Sequence, residues 1–362
     1  MTEQVRYGLV GTGMMGVEHL ANLAITPGAV VTAIADPVAA SLDWARTALG
    51  DRATGAMAFD DAAQLAASGL VDAVIVASPN HTHRAVLATL FAAGLDILCE
   101  KPLATTIDDA RWIVAQAEAS QGIFWTAMEY RYMPPAAAFI AQIHDGSIGT
   151  LRMLSIREHR FPFLEKVGDW NRFARNTGGT MVEKCCHFFD LMRLITRSEA
   201  VRVYCSGAMD VNHVDESYAG ERPDIIDNSY TVVDFASGAR AMLDLSMFAD
   251  GAENQEEITA VGDDARLDVL IPEGAIVRSP RVGFRQPKAV TREVVPVDPA
   301  ALAAGSHHGS TWYEHQRFNA AVRRQGPVEV TAHDGLMAVA IGTAAEISAR
   351  EKRVVTMAEL GF

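Results

Sequence analysis

Two stretches carry the residue types best suited to chemistry. Glu100-Lys101-Pro102 leaves the end of an apolar run at Asp96–Cys99, and Gly178-Gly179 leads into Thr180-Met181-Val182-Glu183-Lys184-Cys185-Cys186-His187-Phe188-Phe189-Asp190. A lysine emerging from a buried strand is partly desolvated, which lowers its pKa toward the range useful for proton transfer. On a continuous helix over Thr180–Ile195, Glu183, His187 and Asp190 fall at i, i+4 and i+7 on one face, while Phe188, Leu191, Met192 and Ile195 supply the packing. A carboxylate aligned with an imidazole can orient it and stabilise its protonated form; alone, the same spacing also suits a solvated helix side or a core histidine. Glu, His and Asp are metal ligands too, but no second histidine cluster at a characteristic spacing accompanies them, so no metal is expected.

A third stretch, Gly11-Thr12-Gly13-Met14-Met15-Gly16, lies between a β-rich run, Val5–Val10, and a helical pattern. Glycines so spaced allow a tight turn, close approach of a pyrophosphate to the backbone and close helix–strand contact, and the helix N-terminus offers its N–H groups to the anion. Asp36 ends the second strand pattern, where its carboxylate would accept hydrogen bonds from an adenosine ribose. The same carboxylate repels a 2′-phosphate, and Pro37-Val38 brings no arginine to neutralise one, so NAD is favoured over NADP; Arg46 is the nearest basic side chain able to swing back. Ser78-Pro79-Asn80-His81-Thr82-His83 follows the run Val71–Ala77, at the strand end where open α/β sheets bind ligands, and also has the chemistry of a helix-capping turn. The expected cofactor contacts are Gly11, Thr12, Gly13, Met14, Met15, Gly16, Asp36, Ser78, Pro79, Asn80, His83, Glu100 and Lys101. His81 and His307-His308 read as cofactor-side or loop residues.

The elements that must position these groups follow from the patterning. A chain of 362 residues, 49% of them apolar, exceeds one typical domain. Short β-rich runs alternate with Ala-rich helical stretches up to about residue 126, the pattern of a doubly wound parallel sheet. From Thr150 onward an alternating strand, the chemistry-bearing helix and a series of strand candidates (Val201–Ala208, Ser229–Phe235, Ala239–Phe248, Glu257–Val261, Arg266–Leu270) predict an antiparallel meander. The stretches 280–296 and 299–305 read as loops, and Trp312–Arg324 and Ala332–Arg350 as terminal helices. The expected division is a dinucleotide-binding Rossmann domain at 1–128 and an α/β domain with an open, mostly antiparallel sheet at 129–362, with the terminal helices free to pack back on the first. A net charge of −14 disfavours nucleic acid and anionic membranes. Without a signal-peptide pattern or a bilayer-length apolar run, and with four cysteines at neither disulfide nor zinc spacing, a reducing cytoplasm is expected.

Taken together, the Gly11–Gly16 loop, Ser78-Pro79-Asn80 with His83, Glu100-Lys101-Pro102, Arg131 in Tyr130-Arg131-Tyr132, Gly146-Ser147-Ile148-Gly149, and Gly178-Gly179 ahead of His187 make the chain resemble the Gfo/Idh/MocA family of NAD(P)-dependent oxidoreductases along nearly its whole length. The resemblance implies a catalytic lysine at Lys101, a partner at His187, and oligomers built through the open sheet, here a homodimer or homotetramer. Where the family has an aspartate four residues before the histidine, this chain has Glu183. The implied reaction is hydride transfer between nicotinamide and a carbinol carbon of a sugar, sugar derivative or cyclitol, with Lys101, His187 and Glu183 catalytic and the choice of base between lysine and histidine left open. Expected substrate contacts are those three with Arg131, His159, Asp169, Trp170 and Arg172, the last four lying in a stretch that mixes charge with aromatic rings; Lys166 and Arg175 leave an acidic sugar open. The alternatives are an NAD-dependent glycosidase working by transient oxidation and elimination, and a non-catalytic dinucleotide-binding regulator.

Overall fold

The computed structural model of the chain describes residues 4–362. Its first sheet is built from β1 (Val5–Val10), β2 (Ala29–Ala35), β3 (Met57–Phe59), β4 (Ala73–Val76), β5 (Asp96–Glu100) and β6 (Phe124–Ala127), all parallel, in the order β3-β2-β1-β4-β5-β6. Strands β4, β5 and β6 are buried along their full length, as continuous apolar runs covered on both faces must be. β3 escapes sequence detection because its three residues are too few for a period and Met57 is exposed. The strand order reverses between β1 and β4, which sets Gly11 against Ser78 at the carboxyl edge where a ligand crevice opens.

The second sheet contains β7 (Leu151–His159), β8 (Ala200–Ala208), β9 (Asn228–Phe235), β10 (Arg240–Ser246), β11 (Glu256–Gly262), β12 (Ala265–Ile271), β13 (Ala275–Pro280), β14 (Thr291–Val294) and β15 (Val355–Thr356). Their order, β14-β13-β12-β11-β7-β10-β9-β8-β15, corrects the expected meander: β7 inserts between β10 and β11, pairing parallel with the first and antiparallel with the second. β14 occupies what reads as a loop, since Thr291–Val294 is exposed throughout and lacks alternation, β13 lies between that stretch and the last strand candidate, and Pro299–Ala304, also read as a loop, is a short helix capped by Asp298. On one face Leu154, Ile156, Val203, Val233, Leu243 and Leu267 join a core with the helices Pro134–His144, Cys186–Thr196 and Ala332–Glu351. The other face is open and displays Met153, Tyr204, Tyr230 and Val232.

The terminal helices tie the two sheets together. Phe318 of the helix Ser310–Val322 packs with Tyr7 and Trp125 of the first sheet, and Asn319 accepts a hydrogen bond from the Tyr7 hydroxyl at 3.0 Å. The expected single helix over Thr180–Ile195 is instead a turn, Thr180–Glu183, and a helix, Cys186–Thr196. At the break Lys184 points inward, donating to the Tyr130 hydroxyl at 2.6 Å and pairing with Glu158 at 2.9 Å.

Candidate active site

The nucleotide end of the crevice is made of backbone. Gly11 adopts φ +89°, and a Cβ there would stand 2.4 Å from the Ser78 nitrogen; at Gly16 it would stand 2.3 Å from the Gly11 carbonyl oxygen. Both glycines are therefore demanded by the fold itself. Gly13 differs, because a Cβ there meets nothing within 4 Å. It precedes the helix Met14–Ala24, which has no side-chain cap, so the first-turn N–H groups remain available to an anion. Asp36 fixes the loop from the side, accepting from the Thr12 and Val38 nitrogens at 2.8 Å each. Arg46 pairs with Asp43 on its own helix. Across the loop, Thr82 donates to Ser78 Oγ at 2.8 Å, and the buried Nδ2 of Asn80 has no partner among the described residues. An unhindered glycine, an uncapped helix start, a ribose-ready carboxylate and an orphaned amide fit a dinucleotide.

The reacting end is made of side chains from separate parts of the chain. Lys101 follows β5, its Nζ 3.4 Å from the Glu183 carbonyl oxygen. Burial works against its charge, but Cys186, Glu129, Glu100 and Glu183 outweigh it and hold the pKa above the ordinary lysine value. The expected depression is thus reversed: Cys186 and three carboxylates together keep the ammonium charged. His187 is 1% exposed and stacks on Tyr130, with ring centroids 4.0 Å apart and an interplanar angle of 6°. Burial, assisted by the charges of Lys101, Lys184, His307 and Arg160, drives its pKa well below the ordinary histidine value, so the ring is neutral. Its Nε2 lies 3.5 Å from Glu129 Oε1, and its Nδ1 has no partner among the described residues.

Glu183 does not meet His187. The helix is interrupted at Lys184–Cys185, no hydrogen bond or ion pair joins Glu183 to His187 among the described residues, and the buried Glu183 carboxylate, raised in pKa by burial, feels Lys166, Lys101, Arg160 and Arg172. One of its oxygens has no hydrogen-bond partner among the described residues. The third residue of the expected face, Asp190, is bound by Arg131 through two contacts of 2.5 Å.

That pair also corrects the expectation for Arg131, whose guanidinium is engaged by Asp190 and Asp334 rather than presented to a substrate. His159 is corrected by the alternation of β7: Glu158 faces inward, and His159 faces the opposite side, 3.2 Å from Asp244. His83 is fully buried, its Nδ1 3.1 Å from the Pro102 carbonyl oxygen and its Nε2 3.0 Å from that of Ser78, so it braces the cofactor loop from behind. Glu100 likewise points away from the crevice, accepting from its neighbour's N–H at 3.1 Å and pairing with His19 at 2.9 Å. Trp170 reaches the loop after β4, 5.9 Å from the His81 ring, with Lys166 Nζ 5.0 Å from its own centroid. Arg172 is buried against Glu216 at 3.0 Å, with its charge felt at Glu183. The Asp169 carboxylate has no partner among the described residues, and Arg175 is held by Glu221.

Sequence reasoning misses the polar layer beneath Lys101. Glu129 comes from the turn after β6, and Glu314 and His315 from the helix Ser310–Val322. His19 on the helix Met14–Ala24 links Glu100 to His315 at 3.0 Å, and His307 bonds Glu18 at 2.9 Å. Adjacent acid–imidazole pairs at Glu18-His19 and Glu314-His315 are the one signal available, and nothing in either pair says that the two helices meet.

Residues 5–128 match the model of an oxidoreductase family's NAD-binding Rossmann fold, and residues 140–357 that of the same family's C-terminal alpha/beta domain, both designated GFO_IDH_MocA. The chain belongs to the Gfo/Idh/MocA oxidoreductase family. It is an NAD-binding oxidoreductase. Among relatives of this Gfo/Idh/MocA member are a myo-inositol 2-dehydrogenase of Thermotoga maritima, 27% identical over 98% of this chain and 99% of its own length, and an inositol 2-dehydrogenase of Rhizobium meliloti, 26% identical over 98% and 99%. A levoglucosan dehydrogenase solved with NADH shares the fold with a TM-score of 0.83 at 20% identity, covering 98% of this chain and 99% of that one. Among the described residues, no helix is long and apolar enough to cross a membrane.

Proposed function

We propose that this oxidoreductase transfers a hydride between nicotinamide and a carbinol carbon of a sugar or cyclitol, using NAD in preference to NADP. The observation that carries the reading is the pairing of unlike states at one place: an ammonium held charged by Cys186 and three carboxylates, Lys101, beside a buried neutral imidazole, His187. When bound, NAD supplies the hydride acceptor. Lys101 stabilises the negative charge that develops on the substrate oxygen, and the unpartnered Nδ1 of His187 accepts the hydroxyl proton. Glu183 offers its free oxygen to a neighbouring hydroxyl, and Trp170, carried by the segment 160–172, shields the site from water. Asp36 sits where a 2′-phosphate would be repelled, with Arg46 engaged elsewhere. The dehydrogenase names of the relatives support a polyol substrate. The open apolar face of the second sheet supports a homo-oligomer, and four buried free thiols support a reducing compartment.

A screen of cyclitols and sugars with NAD and with NADP, read as absorbance of the reduced nicotinamide, tests the reading. The expected result is NADH accumulation with at least one polyol and a lower KM for NAD than for NADP. No net reduction with any polyol, together with cleavage of glycosides at constant NAD, would replace the dehydrogenase reading with a glycosidase one.

A further inference from the structure

Removing a hydride and a hydroxyl proton from an alcohol leaves one proton inside a buried site, and the structure provides a way out. Glu129 is 2% exposed, and neither of its carboxylate oxygens has a hydrogen-bond partner among the described residues. Burying a carboxylate in this state costs several kcal/mol unless it shares a proton with a neighbour. The neighbour in place is His187, whose Nε2 stands 3.5 Å from Glu129 Oε1, a distance that a small side-chain movement closes to a hydrogen bond. Beyond Glu129, the His307 side chain is 27% exposed and bonded to Glu18, so it joins the buried layer to solvent.

We propose that Glu129 positions His187 and is the second carrier of the substrate-derived proton, receiving it from Nε2 and passing it toward His307 and water. The substrate O–H bond breaks as a bond forms to His187 Nδ1, the Nε2–H bond then breaks as an O–H bond forms on Glu129, and the proton leaves through His307. The ring regains its starting tautomer through solvent once product has gone. This role rests on the reading of His187 as proton acceptor.

The groups facing Glu129 set its affinity for that proton. They are Glu100 and Lys101 from the end of β5, His187 from its helix, His307 from the loop after Pro299–Ala304, and Glu314 from the last helix but one. Burial raises its pKa, and Glu100 adds to the rise; His307 and Lys101 oppose them, and the balance lies at about 7. Glu314 has its own pKa driven well up by burial and by Glu129 and Glu100, so it stays protonated and adds no charge at neutral pH. A proton shared by the pair therefore rests on Glu129, because His187 is held well below the ordinary histidine value. Alcohol oxidation needs Glu129 ionised and should accelerate as pH rises through about 7.

Two readouts test the proposal in the full-length chain. The first needs no substrate: ¹⁵N-histidine NMR, with the His187 signals assigned from a His187→Gln variant. In the wild type the His187 ring nitrogens should shift with a midpoint near pH 7 as Glu129 titrates. The shift should vanish in Glu129→Gln and return in Glu129→Asp. The second is the pH–rate profile of NAD reduction with myo-inositol as probe. Glu129→Gln should cut turnover about 10–100-fold and flatten the acidic limb, while Glu129→Asp restores the limb at reduced rate. His307→Gln should slow turnover but leave the His187 signal titrating. A His187 titration that survives in Glu129→Gln would overturn the proposal, and normal turnover in His307→Gln would overturn the path beyond Glu129. If myo-inositol is not oxidised, the polyol that the screen identifies replaces it in the rate profile, and if no polyol is oxidised the substrate reading fails while the NMR result still decides the role of Glu129.

Discussion

The two ends of the crevice are built in opposite ways. At the nucleotide end the working groups are main-chain N–H donors on one unbroken stretch, Gly11–Gly16, and the side chains around it serve to hold the loop: Asp36 bonds Thr12 and Val38, and His83 braces Ser78. At the reacting end the working groups are side chains delivered by a strand end at Lys101, a turn at Glu129, a broken helix at Glu183 and His187, and a loop at His307. Backbone geometry is written in local sequence because a glycine's allowed φ depends on that residue alone. Electrostatic environment is not, since each pKa depends on groups distant in the chain. Dinucleotide binding and proton handling can therefore be perturbed separately.

The largest effect expected from breaking the nucleotide end comes from Gly11. Gly11→Ala forces a β-carbon into the Ser78 backbone at a φ of +89° and should destabilise the fold by about 2–4 kcal/mol, read as a lower unfolding midpoint. Gly13→Ala is the matched control. With nothing within 4 Å of its added carbon, it should leave thermal stability unchanged while weakening NADH binding about tenfold, measured by fluorescence titration. Equal loss of stability in both variants would erase the distinction between a glycine needed by the fold and one needed by the ligand.

A smaller effect sharpens the picture at the reacting end. Since Glu183 faces Lys166 and Lys101 rather than His187, Glu183→Gln should raise KM for the polyol several-fold and leave the acidic limb of the pH–rate profile in place. A displaced limb with unchanged KM would return Glu183 to the side of His187.

Much of the first sheet was legible because its strands are buried runs punctuated by glycine and proline; the helices Ala39–Leu49 and Ile107–Ala119 follow directly from their apolar spacing. The place of β7 in the second sheet was not, because strand alternation reveals faces and carries no information about lateral order. His159 was misplaced for a related reason: adjacent to Glu158 in sequence, it lies on the other side of the sheet. The helix break at Lys184–Cys185 has no glycine or proline to announce it, and it misaligned Glu183 with His187. Arg131 was read as a substrate contact from the family resemblance and Asp190 was put on the face of Glu183 and His187 by helical spacing, yet the two satisfy each other in the interior. Glu129, His19, Glu314 and His315 left no usable trace, as their meaning arises only where the last helices pack against the first sheet.

If binding and proton handling occupy separable ends of one crevice, Lys101→Ala should separate them. NADH affinity and single-turnover hydride transfer would be measured on the same preparation, with a polyol that the wild type oxidises. Hydride transfer should slow about 1,000-fold, with a Kd for NADH within about threefold of wild type. Near-normal hydride transfer, or a loss of NADH affinity as large as the loss of rate, would show that the two ends do not act separately.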